Sequence, residues 1–105
     1  MNMKNMMAQA QAMQTKMQAF QEKVATFEVI GTSGGGLVTV TISGKGTVSQ
    51  VTIDPSLLQA DEKEVLEDLL VAAFADGRQK MDKLTSDELA KVTNGLSLPP
   101  GFSGF

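Results

Sequence analysis

The sequence predicts an α+β fold of order α-β-β-β-α: a long N-terminal helix, a three-stranded antiparallel meander, then C-terminal helices. Three observations predict it. Apolar residues at Met3, Met6, Ala10, Met13, Met17, Phe20, Val24 and Phe27 step alternately by three and four, the a/d spacing of a helix that packs on another helix. Residues 37–53 change to a period of two, interrupted by a glycine-rich turn. Beyond Asp61 the helical period returns behind a cluster of acids.

The first helix is expected from Asn2 to Ala25, because Ala, Gln, Met and Lys dominate that span and neither Gly nor Pro interrupts it. Phe27-Glu28-Val29-Ile30 begins the first strand, and Gly34-Gly35-Gly36 makes a turn, since glycine takes positive φ freely. Leu37 to Ser43 puts Val38, Val40 and Ile42 on one face and Thr39, Thr41 and Ser43 on the other. Ser43-Gly44-Lys45-Gly46 is a hairpin signal. The returning strand, Thr47 to Ile53, has Val48 on one parity and Val51 and Ile53 on the other, which predicts a bulge near Ser49–Gln50.

Asp54-Pro55 ends the sheet and reads as a turn. Asp61 is the expected cap of the next helix, with Glu64 as capping-box partner. Asp61, Glu62, Glu64, Glu67 and Asp68 crowd its first two turns, where the helix dipole favours negative charge. Gly77 within it marks a bend or a close contact. A short separate helix is expected from Ser86 to Val92, stopped by Asn94-Gly95. One domain, 1–105, therefore divides into a helical arm (1–26), a sheet (27–54), C-terminal helices (61–93) and a Pro/Gly-rich tail (96–105), whose Phe102 is expected to fold back onto the helices.

Composition narrows the chemistry. The chain has no Cys, His, Trp or Tyr, which removes disulfides, Cys/His metal sites, thiol nucleophiles and histidine acid–base catalysis. The glycines at 34–36 lead into a strand, whereas a phosphate loop leads into a helix N-terminus. No catalytic residue, metal or cofactor is expected. No apolar run approaches the roughly 20 residues of a membrane span, and the N-terminus lacks the apolar core of a signal peptide. A cytoplasmic location is expected.

The net charge of −3 is unevenly spread. Residues 1–27 set Lys4, Lys16 and Lys23 against Glu22, and residues 77–105 set Arg78, Lys80, Lys83 and Lys91 against Asp82, Asp87 and Glu88. Both ends are net positive. Residues 54–76 set seven acids against Lys63. A polyanion fits this pattern if the fold joins the ends and turns the middle away.

The chain resembles the YbaB/EbfC family of nucleoid-associated proteins. The residues that carry the resemblance are Met7-Ala8-Gln9-Ala10-Gln11-Ala12-Met13-Gln14-Thr15-Lys16-Met17, Gly31-Thr32-Ser33-Gly34-Gly35-Gly36-Leu37-Val38 and Ile53-Asp54-Pro55-Ser56-Leu57-Leu58. Leu66-Glu67-Asp68-Leu69-Leu70, Ala72-Ala73-Phe74 and Leu98-Pro99-Pro100-Gly101-Phe102 complete the order. The resemblance implies a tweezer-like homodimer that binds double-stranded DNA through protruding helical arms, with little sequence preference, in the bacterial nucleoid. Thr39, Ser49 and Gln50 are neutral here where members of the family often carry basic residues, which takes the hairpin out of the expected contact.

The expected DNA contacts are Lys4, Gln9, Gln11, Lys16 and Lys23 of the arm and Arg78, Lys80 and Lys83 of the second helix. Lysine and arginine meet phosphates, and glutamine hydrogen-bonds to backbone or base edges. Met6, Met13, Met17 and Phe20 are the expected dimer seam. The alternative is a protein-interaction module in which the Met/Gln arms grip a component of the replication or recombination machinery.

Overall fold

A computed structural model describes residues 3–93, with α1 (Met3–Ala25), β1 (Glu28–Ser33), β2 (Val38–Ser43), β3 (Val48–Ile53) and α2 (Lys63–Thr93). The three strands form one antiparallel sheet in the order β1-β2-β3. Alternation decides its faces. Val38, Val40 and Ile42 of β2 point to one side and are buried beneath α2, together with Val29, Leu57, Ala73 and Met81.

The turns follow the glycines. Gly34, Gly35 and Gly36 have φ of 61°, 67° and 102°, which reverses the chain between β1 and β2. The β2–β3 hairpin closes with the Gly46 amide donating to the Ser43 carbonyl at 2.9 Å. The expected bulge is present. Thr41 pairs with Gln50 and Ile42 with Val48, so Ser49 is the extra residue. That single insertion returns Val48 to the face occupied by Val51 and Ile53.

α2 lies against β1 and β2 through a glycine contact. A Cβ on Gly31 would overlap the Ala73 carbonyl oxygen and stand 2.6 Å from the Gly77 nitrogen. The contact reading of Gly77 is therefore the structural one. Ser33 Oγ donates to the Leu69 carbonyl at 2.6 Å, fixing α2 along the strand.

Two expectations at the ends of α2 are corrected. Asp61 does not cap the helix. The extended residue is Gln59 (φ −126°, ψ 149°), Ala60–Glu62 form a 3-10 turn, and α2 begins at Lys63. Buried Leu57, after a turn in which Asp54 accepts the Ser56 amide at 2.9 Å, sets this approach. Nor is there a separate helix at Ser86: α2 runs unbroken to Thr93. Thr85 and Ser86 are weaker helix formers, but neither Gly nor Pro follows before Thr93, and residual propensity differences do not break a helix already propagating. The Asn94-Gly95 stop and the docking of Phe102 lie outside the described residues.

The molecule is elongated, with extents of 71 × 24 × 16 Å. Its radius of gyration is 19.6 Å, against about 13 Å for a compact domain of this length. The extra length comes from the helices. The last turns of α2 run past the sheet and pack on the second half of α1, where Phe20 is buried. The first ten residues of α1, Met3–Ala12, are all exposed.

Candidate nucleic-acid interface

The arm is built by two helices that the chain makes at opposite ends of its length. Lys16 and Lys23 are seven residues apart, two helical turns, so they lie on one ridge of α1. Ala19 and Phe20 lie between them and form the floor of a shallow groove that α2 closes with Glu88, Lys91 and Val92. Three ammonium groups thus flank one groove. Among the described residues Glu88 is the sole acid lining it, and its carboxylate lies 3.5 Å from Lys91 Nζ. Lys91 itself remains largely exposed.

Lys4, Gln9 and Gln11 extend the same helix outward, exposed on its protruding half. From Lys4 to Lys23 the helix covers about 28 Å, somewhat less than the ~34 Å turn of B-DNA. The acids at the start of α2 lie far from this surface. Glu64 and Lys91 are 27 residues apart on one continuous helix, which is about 40 Å. The Debye length at physiological salt is about 8 Å, so the acids are screened from the arm.

The expected cations of α2 do not form one patch. Lys80 is engaged in the fold: its Nζ lies 2.8 Å from Asp76 Oδ2 and donates to the Ile30 carbonyl at 2.8 Å. Arg78 is two residues, about 160° of helix rotation, from Lys80. It lines a separate shallow depression with Asp82, Thr85, Ser86 and Leu89. Lys83 is exposed about 60° of rotation from Lys80, but Lys80 turns its own charge into the fold. Lys91 was not among the expected contacts, because its closeness to Lys16 and Lys23 arises only from helix packing. Its place in the last turn of α2, where the dipole favours cations, was the signal available in the sequence.

The apolar stripe of α1 is likewise divided. Phe20 is buried and Met13 and Met17 half-buried in the single chain, whereas Met3, Met6 and Met7 are 74%, 50% and 61% exposed. Among the described residues, no group of three acids could hold a metal ion, and no helix is long and apolar enough to cross a membrane.

Fold and arm together define a class: an α+β protein whose three-stranded sheet carries a projecting two-helix arm with lysines on its surface. The model of the YbaB/EbfC DNA-binding family matches residues 1–96, and the chain belongs to that family. It is 52% identical over 101 residues to a nucleoid-associated protein of Brucella melitensis, covering 96% of this chain and 94% of that protein. Relatives named as nucleoid-associated proteins in Brucella ovis and Brucella canis are 50% identical over the same length. The fold is similar to the crystal structure of an uncharacterized protein from Helicobacter pylori, with a TM-score of 0.72 and 26% identity. That match covers 92% of this chain and 99% of the other.

Proposed function

We propose that the chain is a non-enzymatic nucleoid protein of the cytoplasm that binds double-stranded DNA as a homodimer, with low sequence specificity, and organises or bends it, thereby affecting gene expression. The observation that carries this reading is the convergence of Lys16, Lys23 and Lys91 on one groove, about 40 Å along α2 from the acidic cluster. Such a surface binds phosphates through charge and reads few base edges, so its affinity follows counterion release. Gln9 continues the Lys16–Lys23 ridge along α1, and Lys4 and Gln11 contribute from a second ridge about 120–140° around the helix. Arg78 and Lys83 serve as outlying contacts, and Lys80 acts mainly within the fold.

Two apolar surfaces support self-association. One is the exposed Met3, Met6 and Met7 end of the stripe that continues into Met13. The other is the inner face of β3, which α2 does not cover, leaving Val48 and Val51 at 40% and 45% exposure. The same exposed methionines favour a second reading, an arm that docks on a protein of replication or recombination, since methionine suits adaptable binding surfaces. A mobility-shift titration on two unrelated duplexes separates the readings. Similar affinity for both duplexes, lost in Lys16→Glu with Lys23→Glu, supports DNA as the partner. No shift by the wild-type protein at low salt refutes it.

A further inference from the structure

A strand at the edge of a sheet presents unpaired amides and carbonyls to any other strand. β1 is such a strand, because β2 pairs with it on one side only. On its outer side two backbone groups already have partners, and both partners are side chains of α2. The Thr32 amide donates to Asp76 Oδ2 at 2.9 Å, and the Ile30 carbonyl accepts from Lys80 Nζ at 2.8 Å. Asp76 and Lys80 are four residues apart on α2 and 2.8 Å from one another. Residues 30 and 32 are the two that turn their backbone groups away from β2 at the middle of the strand.

We infer that Asp76 and Lys80 act as a surrogate fourth strand that closes the β1 edge to pairing with a second copy of the chain. The pair supplies one acceptor and one donor to the groups such a strand would engage. An exposed i,i+4 ion pair contributes little stability by itself. Its effect here lies in occupying the edge. Among the described residues no side chain is hydrogen-bonded to the outer edge of β3, and α2 packs chiefly on β1 and β2. The two edges of the sheet are therefore unequal. This has a consequence for assembly. Pairing of β1 of one copy with β3 of the next would be head-to-tail and would propagate, whereas a molecule with one usable edge can only close on itself as a two-fold pair.

The test is the size distribution of full-length protein in which Asp76→Ala is combined with Lys80→Met. Sedimentation velocity and light scattering are compared with wild type at equal fraction folded, from micromolar to near-millimolar concentration. The expected result is a weight-average mass at least about twofold above wild type that grows with concentration. Ser33→Ala is the control: it removes another α2–β1 hydrogen bond but frees no outward edge group. It should leave the size unchanged. Ile30→Lys, added to the double variant, places a charge on the edge strand and should restore the wild-type size. Lys80→Met alone frees only the Ile30 carbonyl, and should give a smaller rise even if the double variant folds poorly. A double variant or Lys80→Met protein that keeps the wild-type size overturns the inference. So does Ser33→Ala assembling to the same extent, since loss of helix packing would then account for the effect.

Discussion

Replacing Gly31 by alanine should cost far more than replacing Gly77, although the two glycines face each other across the same contact. A Cβ at position 31 would overlap the Ala73 carbonyl oxygen and stand 2.6 and 2.8 Å from the nitrogen and Cα of Gly77. All three atoms are backbone, so relief requires α2 to retreat from β1. Non-bonded heavy atoms settle near 3.5–4.0 Å, and a radial gap of 0.5–1 Å already forfeits a quarter to a half of each contact's attraction. Ala73 and Met81 would lose contacts against Val29, Val40 and Ile42 together. Overpacking of this kind costs about 1–3 kcal/mol, and the top of that range is expected because no side chain can yield. At about 4–8 °C per kcal/mol the melting temperature should fall by some 12–24 °C. At position 77 the new Cβ would stand 2.6 Å from Ile42 Cδ1, the flexible end of a side chain, and 3.4 Å from Gly31 Cα. Alanine there also gains about 1 kcal/mol of helix propensity, offsetting the displacement of Ile42. The net change should lie within about 1 kcal/mol of zero. Thermal unfolding followed by circular dichroism measures both. Gly77→Ala proving as damaging as Gly31→Ala would refute the backbone-contact argument.

Salt dependence tests the arm. If Lys4, Lys16, Lys23 and Lys91 each neutralise one phosphate per protomer, raising salt from 50 to 200 mM should weaken binding about 150-fold per protomer, and Lys16→Gln with Lys23→Gln should reduce that to about 12-fold. Fluorescence anisotropy on two unrelated duplexes reads the slope, and an unchanged slope places the contact elsewhere. Lys80→Gln should lower thermal stability while leaving DNA affinity nearly unchanged; a loss of affinity equal to that of Lys16→Gln contradicts its structural assignment. Asp76 is held below its ordinary pKa of 3.8, first by the Lys80 hydrogen bond and then by the Thr32 amide, and Asp54 is held below 3.8 by hydrogen bonds from Ser56. Both lowered values add stability that is present above about pH 4 and lost as pH falls through the folded-state values. Asp76→Asn and Asp54→Asn should therefore each flatten the acid limb of a pH–stability curve, and an unaltered limb would count against those bonds in solution. Glutamate at Met6 and Met13 should shift a dimer toward monomer in sedimentation equilibrium, and a wild-type protein that is monomeric at micromolar concentration would end the dimer proposal.

The sequence by itself determined the elements and even one irregularity among them. Periods of 3.5 and 2 follow from backbone geometry, so α1 and the three strands were legible to within a residue or two at most boundaries. The parity slip at Val48 announced the bulge at Ser49 because regular strand faces alternate, and only an inserted residue returns Val48 to the face of Val51 and Ile53. The start of α2 and its continuity through Ser86 are not legible in the sequence, since capping and propensity differences are small beside the packing of Leu57 and Met81. Tertiary structure alone decided which cations share the groove. Heptad positions identified Lys16 and Lys23 as one ridge, but only the packing of α2 on α1 brought Lys91, 68 residues beyond Lys23, to the same groove. Only the seating of α2 along β1 drew Lys80 away to the Ile30 carbonyl. Local sequence sets which way a side chain leaves its own helix. What it meets depends on a second element, whose position is fixed by contacts such as Gly31 on Gly77 that carry no charge and no periodic signature.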